Sequence, residues 1–449
     1  MSPAAPNWKT FVAFLLPMML SNILQALFGT INNIYLGQLI GVDALAAVSG
    51  FFPVMFFFIA FIIGLGSGSS VLIGQAWGAG DRDKVKAVAG TTLTLALVGG
   101  CVIALLGGIY TRELMVALAT PANVLDAATS YARIMMLSMP LTFAFLLAAS
   151  MMRGVGDSVT PLFALTVSTV IGLLITPTLI LGWLGLPRLG VASAAVASAI
   201  SSAATLLWLT LYLRHKKHPL APDVFFARAM RLNGALLGRV LRIGLPTAVQ
   251  LVVMSLAELV LLGLVNGFGS NATAAYGAVN QVLAYVQFPA ISIAITASIF
   301  AAQAIGAGHP ERLGAIVRTG LWLNLFMTGA LVILGYLLSR LIIGLFITSA
   351  DVLDLAQGLL HIVLWSTIAF GMSGVFSATM RASGTVLVPT LLSIFAIAAI
   401  EVPVAVVLSR SIGIEGVWIA YPVTFCAMML LQMAFYLLIW RKRKIERLI

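Results

Sequence analysis

Long apolar runs recur along this sequence and limit its fold more than any other feature. A helix needs about 20 consecutive apolar residues to cross the hydrocarbon core of a bilayer. Runs of that length, broken by charged residues, glycine or proline, extend from one end of the chain to the other. They predict an all-α integral membrane protein with twelve transmembrane helices, at 11–38, 50–77, 86–110, 129–152, 161–184, 189–213, 239–266, 276–304, 314–346, 356–381, 387–409 and 414–440.

The amino-acid composition leads to the same class. Apolar residues make up 61% of the chain and charged residues 9%. In soluble domains apolar residues make up about 45–50% and charged residues about 25%. A soluble core could not bury so much apolar surface. The two cysteines, Cys101 and Cys426, lie inside apolar runs without a CxxC motif. We therefore expect no disulfide, no metal site and no cofactor.

One stretch of the sequence occurs twice. Residues 72–95, LIGQAWGAGDRDKVKAVAGTTLTL, return 228 positions later as FAAQAIGAGHPERLGAIVRTGLWL, with nine of 24 positions identical. This predicts a duplication of six spans. The expected domains are a six-helix N-terminal lobe at 1–213, a linker at 214–238, a six-helix C-terminal lobe at 239–440 and a basic tail at 441–449.

The basic residues indicate orientation, because Lys and Arg are retained on the cytoplasmic side. With a cytoplasmic N-terminus, 20 of the 25 basic residues fall on that side, and both termini are cytoplasmic. Six spans per half is an even number, so both copies should enter the membrane in the same direction, related by a pseudo-twofold axis along its normal. The net charge of +11 thus reflects topology. No polar domain is available for nucleic acid.

The linker, RHKKHPLAPDVFFARAMRLNGALLGRV, is polar at first and then basic, with apolar residues at helical spacing. We expect a cytoplasmic connector whose second part lies on the membrane surface and is attracted to anionic lipid. A regulatory role is the alternative.

The repeated frame Gln-Ala-x-Gly-Ala-Gly ends an apolar helix before a charged loop in each half. Glycines there allow a sharp turn and close helix packing, so we expect a structural role. Phosphate binding is excluded because there is no preceding strand and no Walker-type ending. Matched hinges are expected at Arg153 and Gly156 in the first half and at Arg381 and Gly384 in the second.

These motifs carry a family resemblance. INNIYLGQLIGVDALAAVSG, GQAWGAGD, MMRGVGDSVTP and LGVASAAVASAIS, in two halves of six spans, resemble the multidrug and toxic compound extrusion (MATE) family over essentially the whole chain. The resemblance implies a V-shaped transporter with two lobes and alternating access. It further implies a secondary-active antiporter that exports lipophilic, often cationic compounds in exchange for H⁺ or Na⁺, as a monomer in the bacterial cytoplasmic membrane.

Coupling to an ion requires an ionisable group inside the membrane. Only two of the fourteen acidic residues are predicted within spans, Glu258 and Glu401, and Glu258 is the principal candidate. For each, the alternative is a purely structural hydrogen bond. Family members carry acidic residues at positions that here correspond to Asn32, Thr176, Met254 and Phe370, so the identity of the coupling ion stays open.

Polar and adaptable side chains concentrate in the first, seventh and eighth spans, which the resemblance places at the substrate cleft. Gln250 and Met254 lie on nearly the same helix face as Glu258, and we expect Gln250 to be its hydrogen-bond partner. Helix-to-helix packing is the alternative role for these side chains. The candidate cleft residues are Asn32, Asn33, Tyr35, Gln250, Met254, Tyr276, Asn280, Gln281 and Phe370.

Other functions are less consistent with the sequence. An exporter of one dedicated metabolite remains open. A lipid-linked flippase of the same superfamily should carry cationic residues well inside its spans, and none is seen. An intramembrane enzyme would need paired carboxylates, HExxH or a nucleophile–base pair, so we expect no enzyme. The duplicated halves disfavour a receptor or scaffold.

Overall fold

The structure is a computed structural model that describes residues 7–449, and this part of the chain forms helices without any strand. A π-helical segment, Ala396–Glu401, interrupts one of the spans. The α-helices are α1 (Trp8–Leu39), α2 (Val42–Ser49), α3 (Phe52–Gly78), α4 (Arg82–Ala117), α5 (Leu125–Leu137), α6 (Met139–Gly154), α7 (Val159–Leu181), α8 (Ala192–His215), α9 (Val224–Ala229), α10 (Gly234–Asn266), α11 (Ser270–Gly306), α12 (Leu313–Leu337), α13 (Ser339–Gly344), α14 (Ala350–Val363), α15 (Thr367–Ala382), α16 (Leu387–Phe395), α17 (Val402–Ser411) and α18 (Ile414–Leu438).

The predicted spans are confirmed. Within the described residues, eleven helical segments are long and apolar enough to cross a membrane, and the pair α5 and α6, bent by 52°, forms a twelfth. The bend lies at Ser138, just before Pro140 near the start of α6. Proline has no N–H to donate to the preceding turn, so a bend at this point is expected. The protein is therefore an integral membrane protein.

Several helix boundaries differ from the sequence-based ones. The ninth span was expected to reach residue 346, but α12 ends at Leu337 and the short α13 follows. Helices α4 and α10 begin earlier than expected, at Arg82 and Gly234. For α4 and α10 the reason is that an apolar run marks only the part of a helix inside the bilayer. Backbone hydrogen bonding continues past that boundary into polar residues.

The repeated Gln-Ala-x-Gly-Ala-Gly frame forms the same helix ending in both halves. Its last glycine, Gly80 or Gly308, has a positive φ of 73° or 78°, which glycine adopts without steric cost. The residue after each glycine donates its N–H to a carbonyl five positions earlier. This is the hydrogen-bond pattern of a glycine-terminated helix, so the sharp turn expected of the frame is confirmed.

Ion pairs repeat at the same spacing. Arg112 pairs with Asp126 at 2.8 Å, and Arg340 pairs with Asp354 at 2.7 Å, each pair lying 228 positions from the other. All four side chains are exposed, so each pair contributes at most about 1 kcal/mol. The equal spacing of the two pairs supports a duplication of the chain.

The chain divides into two compact units. Unit N is Leu20–Leu245, and unit C is the described residues up to Met19 together with Pro246–Ile449. The sequence-based boundaries assigned all of the first helix to the N-terminal half. The start of α1 belongs to unit C because Phe11 and Phe14 pack against Phe300 of α11, with ring centroids 5.5 and 5.4 Å apart.

Candidate functional site

Glu258 of α10 is hydrogen-bonded to two tyrosines in unit C. The hydroxyl of Tyr276 in α11 donates to Oε2 of Glu258 at 2.6 Å, and the hydroxyl of Tyr421 in α18 donates to the same oxygen at 3.0 Å. The two tyrosine oxygens are 3.2 Å apart. Three helices thus meet at one carboxylate oxygen. We call these residues the Glu258 triad.

The triad can hold either two or three hydrogens. Each tyrosine hydroxyl has one hydrogen and can also accept one. When Glu258 is ionised, both hydroxyl hydrogens point to Oε2, and no hydrogen remains for the contact between the tyrosines. A proton on the carboxyl group supplies a third hydrogen, which allows all three contacts to be hydrogen bonds. The heavy atoms need not move, so the geometry suits reversible protonation.

Aromatic packing holds the two tyrosines in place. Tyr276 is 6% exposed and Tyr421 is 4% exposed. The fully buried ring of Trp418 lies 5.2 Å from the ring of Tyr276 and 5.6 Å from that of Tyr421, centroid to centroid. Tyr276 was expected to offer exposed aromatic surface. It is buried instead, because its hydroxyl serves Glu258 and its ring packs on Trp418.

Glu401 belongs to the same region of unit C. It is 5% exposed and ends the π-helical segment, two residues before Pro403. Pro403 lacks an N–H, so the carbonyl four residues earlier loses its α-helical donor, which accounts for the changed helical register. Ala257, next to Glu258, and Val402, next to Glu401, pack in one small apolar cluster. Two like charges in a medium of low dielectric constant repel strongly, and a proton or small cation would relieve that repulsion.

Gln250 is not the hydrogen-bond partner of Glu258, contrary to the expectation from helix periodicity. Eight residues along a helix separate two side chains by about 12 Å in height, too far for a hydrogen bond. Within residues 7–449 the buried Oε1 of Gln250 has no hydrogen-bond partner. Met254 packs against a small cluster that includes Ile397 and Met428.

Three other candidates lie in unit C. Asn280 is partly buried, one turn after Tyr276 on α11, whereas Gln281 is exposed. The ring of Phe370 lies 5.1 Å from that of Phe425, centroid to centroid, and Phe425 lies one turn after Tyr421. Phe370 therefore joins the aromatic cluster beside the Glu258 triad.

The candidates of the first span, together with Thr176 of α7, lie in unit N. The hydroxyl of Tyr35 donates to the carbonyl of Leu173 at 3.3 Å, and Asn33 is exposed. The buried Oδ1 of Asn32 has no hydrogen-bond partner in the described part of the chain. Thr176 is buried and donates to the carbonyl of Gly172 in its own helix at 2.8 Å.

The two proposed hinges share one backbone geometry. Gly156 follows Arg153 with φ of 87°, and Gly384 follows Arg381 with φ of 88°. The arginines differ in their partners. Arg381 donates to the hydroxyl of Thr247 at 3.3 Å, whereas the buried Nε of Arg153 has no hydrogen-bond partner among residues 7–449.

Tyr421 is the member of the Glu258 triad that sequence reasoning missed. Its sequence signal is weak, a hydroxyl-bearing residue directly before Pro422 in a mostly apolar helix. That signal does not point to Glu258, because the two residues are 163 positions apart.

Fold and site together define a duplicated helical membrane protein with a partly buried carboxylate–tyrosine cluster in one unit. The profile of the MatE family matches residues 17–178 and 246–407, once in each half. The chain belongs to the MATE family of multidrug efflux transporters.

Similar proteins extend over nearly the whole chain. The probable multidrug resistance protein YoeA of Bacillus subtilis (strain 168) is 48% identical over 444 residues, covering 98% of this chain and 96% of YoeA. The multidrug export protein MepA of Staphylococcus aureus (strain MSSA476) is 24% identical over 419 residues, covering 92% of this chain and 90% of MepA.

Solved structures show the same fold. An outward-facing multidrug resistance MATE family transporter superposes with a TM-score of 0.88 at 23% identity, covering 96% of this chain and 95% of that one. A mutant of the Vibrio cholerae MATE transporter VcmN superposes with a TM-score of 0.89 at 20% identity, covering 97% of this chain and 98% of that one.

Proposed function

We propose that this protein is a secondary-active antiporter that exports lipophilic, often cationic compounds in exchange for H⁺, with Na⁺ as the alternative coupling ion. The observation that carries the proposal is the Glu258 triad, in which two tyrosine hydroxyl groups donate to one carboxylate oxygen on a helix long and apolar enough to cross the membrane. The similarity to YoeA, a probable multidrug resistance protein, and to MepA, a multidrug export protein, supports the substrate class.

Coupling follows from competition at Glu258. The ionised carboxylate attracts a cationic substrate, and a proton on the same carboxyl group removes that attraction. Protonation from one side of the membrane therefore releases a substrate bound from the other. Glu401 adds a second negative charge to the region, which strengthens attraction for a proton or cation. In this proposal the protein needs no cofactor, catalyses no chemical reaction and acts as a monomer.

The remaining candidates take two roles in this proposal. Arg153 with Gly156, and Arg381 with Gly384, act as matched hinges between helices. The substrate-contacting side chains are Asn32, Asn33, Tyr35, Gln250, Met254, Asn280, Gln281 and Phe370.

We further propose that the protein lies in the bacterial cytoplasmic membrane with both termini in the cytoplasm. The distribution of basic residues, with 20 of 25 on one side, supports this orientation. The bacterial source of YoeA and MepA supports the membrane.

Transport by reconstituted vesicles tests the coupling, with a pH gradient and a sodium gradient imposed separately. Glu258→Gln should abolish export of a cationic dye driven by the pH gradient, while binding of a neutral substrate persists. Loss of a carboxylate–cation contact should cost about 2–5 kcal/mol, or about 30-fold or more in affinity for the cation. Glu415→Gln is the matched control, since Glu415 is exposed in the first turn of α18.

Export by Glu258→Gln at the wild-type rate, still dependent on the pH gradient, would rule out Glu258 as the coupling residue. Glu401→Gln would then be the variant expected to lose coupling. Export driven by the sodium gradient alone would identify Na⁺ as the coupling ion.

A further inference from the structure

A basic pocket in unit N lies between the start of α4 and the linker. Its volume is about 240 Å³, and Asp83 and Lys86 of α4 line it together with Phe225, Arg228 and Arg231 of the linker. Helix α4 carries charged residues in this first part, and the 25 residues that follow, 87–111, contain no charged side chain. The pocket is therefore at the level where water meets the hydrocarbon core.

The linker backbone is fixed against α4. The carbonyl group of Ala229 lies so close to Gly90 that a Cβ atom at position 90 would collide with it. The hydroxyl of Thr91 donates to the carbonyl of Arg231 at 2.9 Å. These contacts hold the backbone that carries Arg228 and Arg231 beside α4 before any ligand binds.

The charge of the pocket is only partly neutralised. Lys86 Nζ lies 3.7 Å from Asp223 Oδ2, and Asp83 is part of the lining. The ion pairs within residues 7–449 include neither Arg228 nor Arg231. Two exposed guanidinium groups with no carboxylate partner suit a phosphate, whose oxygens accept paired hydrogen bonds from arginine.

Apolar side chains flank these guanidinium groups. Val224 is 64% exposed, Phe225 is 66% exposed and Leu232 is 51% exposed. Exposed apolar side chains next to basic ones are typical of segments that lie in the membrane interface. A free phosphate ion would leave them in water, whereas a phospholipid would cover them with its acyl chains.

We propose that this pocket binds the headgroup of an anionic phospholipid, with Arg228 and Arg231 on the phosphate and Phe225 against an acyl chain. The expectation from the linker sequence was a general attraction to anionic lipid. The structure assigns that attraction to one site on α4. The proposal is independent of the coupling role of Glu258.

Native mass spectrometry of the detergent-purified protein tests the site, with phosphatidylglycerol and phosphatidylcholine added in equal amounts. Wild type should retain phosphatidylglycerol in preference to phosphatidylcholine. The double variant Arg228→Gln, Arg231→Gln should lose that preference several-fold. The matched control is Arg214→Gln, Lys216→Gln, which removes the same charge from exposed linker positions outside the pocket.

Equal losses in the double variant and the control would overturn the site, since only diffuse attraction would remain. Displacement of phosphatidylglycerol by inorganic phosphate at low millimolar concentration would overturn the assignment to lipid. Should the double variant not fold, Phe225→Ser decides instead, because it changes one exposed side chain and removes no charged group. Loss of lipid retention in Phe225→Ser supports the proposal, and unchanged retention contradicts it.

Discussion

Glu258 accepts two hydroxyl hydrogen bonds on one oxygen, and this detail separates it from an ordinary polar contact between helices. A hydrogen bond to a charged group contributes about 1.5–3 kcal/mol, against about 0.5–1.5 kcal/mol for a neutral pair. Tyr276 and Tyr421 should therefore stabilise the fold more when Glu258 is ionised than when it is neutral.

Tyr421→Phe removes one donor to this carboxylate and should lower the free energy of unfolding in detergent by about 1–3 kcal/mol. In a Glu258→Gln background the same change should cost less, because the acceptor is no longer charged. A double-mutant cycle measures the difference, expected at about 0.5–3 kcal/mol. Tyr35→Phe is the control, since its hydroxyl donates to a backbone carbonyl of unit N. Additive effects of Tyr421→Phe and Glu258→Gln would contradict the triad.

At the scale of secondary-structure elements, the segment after α8 is attached to the turn between α6 and α7. Asp157 in that turn accepts from the N–H of Val159, from the N–H and hydroxyl of Thr160, and lies 3.0 Å from Nε2 of His218. Burial raises the pKa of Asp157, but the hydrogen bonds from His218 and Thr160 outweigh it and hold the pKa below its ordinary value.

The corresponding turn of unit C is attached with different chemistry. Trp440, which follows α18, donates its indole N–H to the hydroxyl groups of Ser383 and Thr385 at 3.1 and 3.2 Å. Thr385 lies 228 positions after Asp157. The turn is thus held by an ionisable side chain in unit N and by neutral hydroxyl groups in unit C.

Asp157→Asn should destabilise the protein by about 1–3 kcal/mol at neutral pH. Asparagine keeps the oxygen that caps α7 but places an NH₂ group opposite two donors. Because the folded-state pKa of Asp157 is lowered, its stabilisation is complete above the unfolded-state pKa of about 4 and is lost as pH falls through the folded-state value.

The stability difference between wild type and Asp157→Asn should therefore be constant from neutral pH to about 5 and shrink below about 4. Thermal unfolding in detergent across this range measures it. Asp81→Asn is the control, because Asp81 uses one side-chain oxygen to cap α4, a role that asparagine retains. A difference that persists unchanged at low pH would exclude the ionised form as the source of the stabilisation.

For the whole molecule, the duplication predicts that equivalent loops lie on the same side of the membrane. Single cysteines should be placed in a background that lacks Cys101 and Cys426. Labelling with a membrane-impermeant maleimide should modify Asp81→Cys and Glu311→Cys from the cytoplasmic side. Glu113→Cys and Asp351→Cys should react only from the opposite side.

These four positions are exposed in the structure, whereas Ser158, in the turn before α7, is 3% exposed and would label poorly. Asp81 and Glu311 follow α3 and α11, which end in the same repeated frame. Modification of these two positions from opposite sides would contradict a parallel duplication of the two halves.

The sequence by itself determined the membrane class, the twelve spans, the duplication and the family, together with the two acids inside the spans. These properties depend on the local composition of each segment, since a backbone in lipid must satisfy its own hydrogen bonds and a span must be long enough to cross. Glu258 and Glu401 stood out because charges inside such runs are rare.

Only the tertiary structure decided what surrounds those acids. Tyr421 reaches Glu258 from 163 residues away, and the chain neighbours of the two acids, Ala257 and Val402, pack in one cluster. Helix periodicity pointed instead to Gln250, which is two turns away on the same helix. Which helices meet, and at what height, depends on the shapes of their packed faces, and hydropathy carries no information about shape.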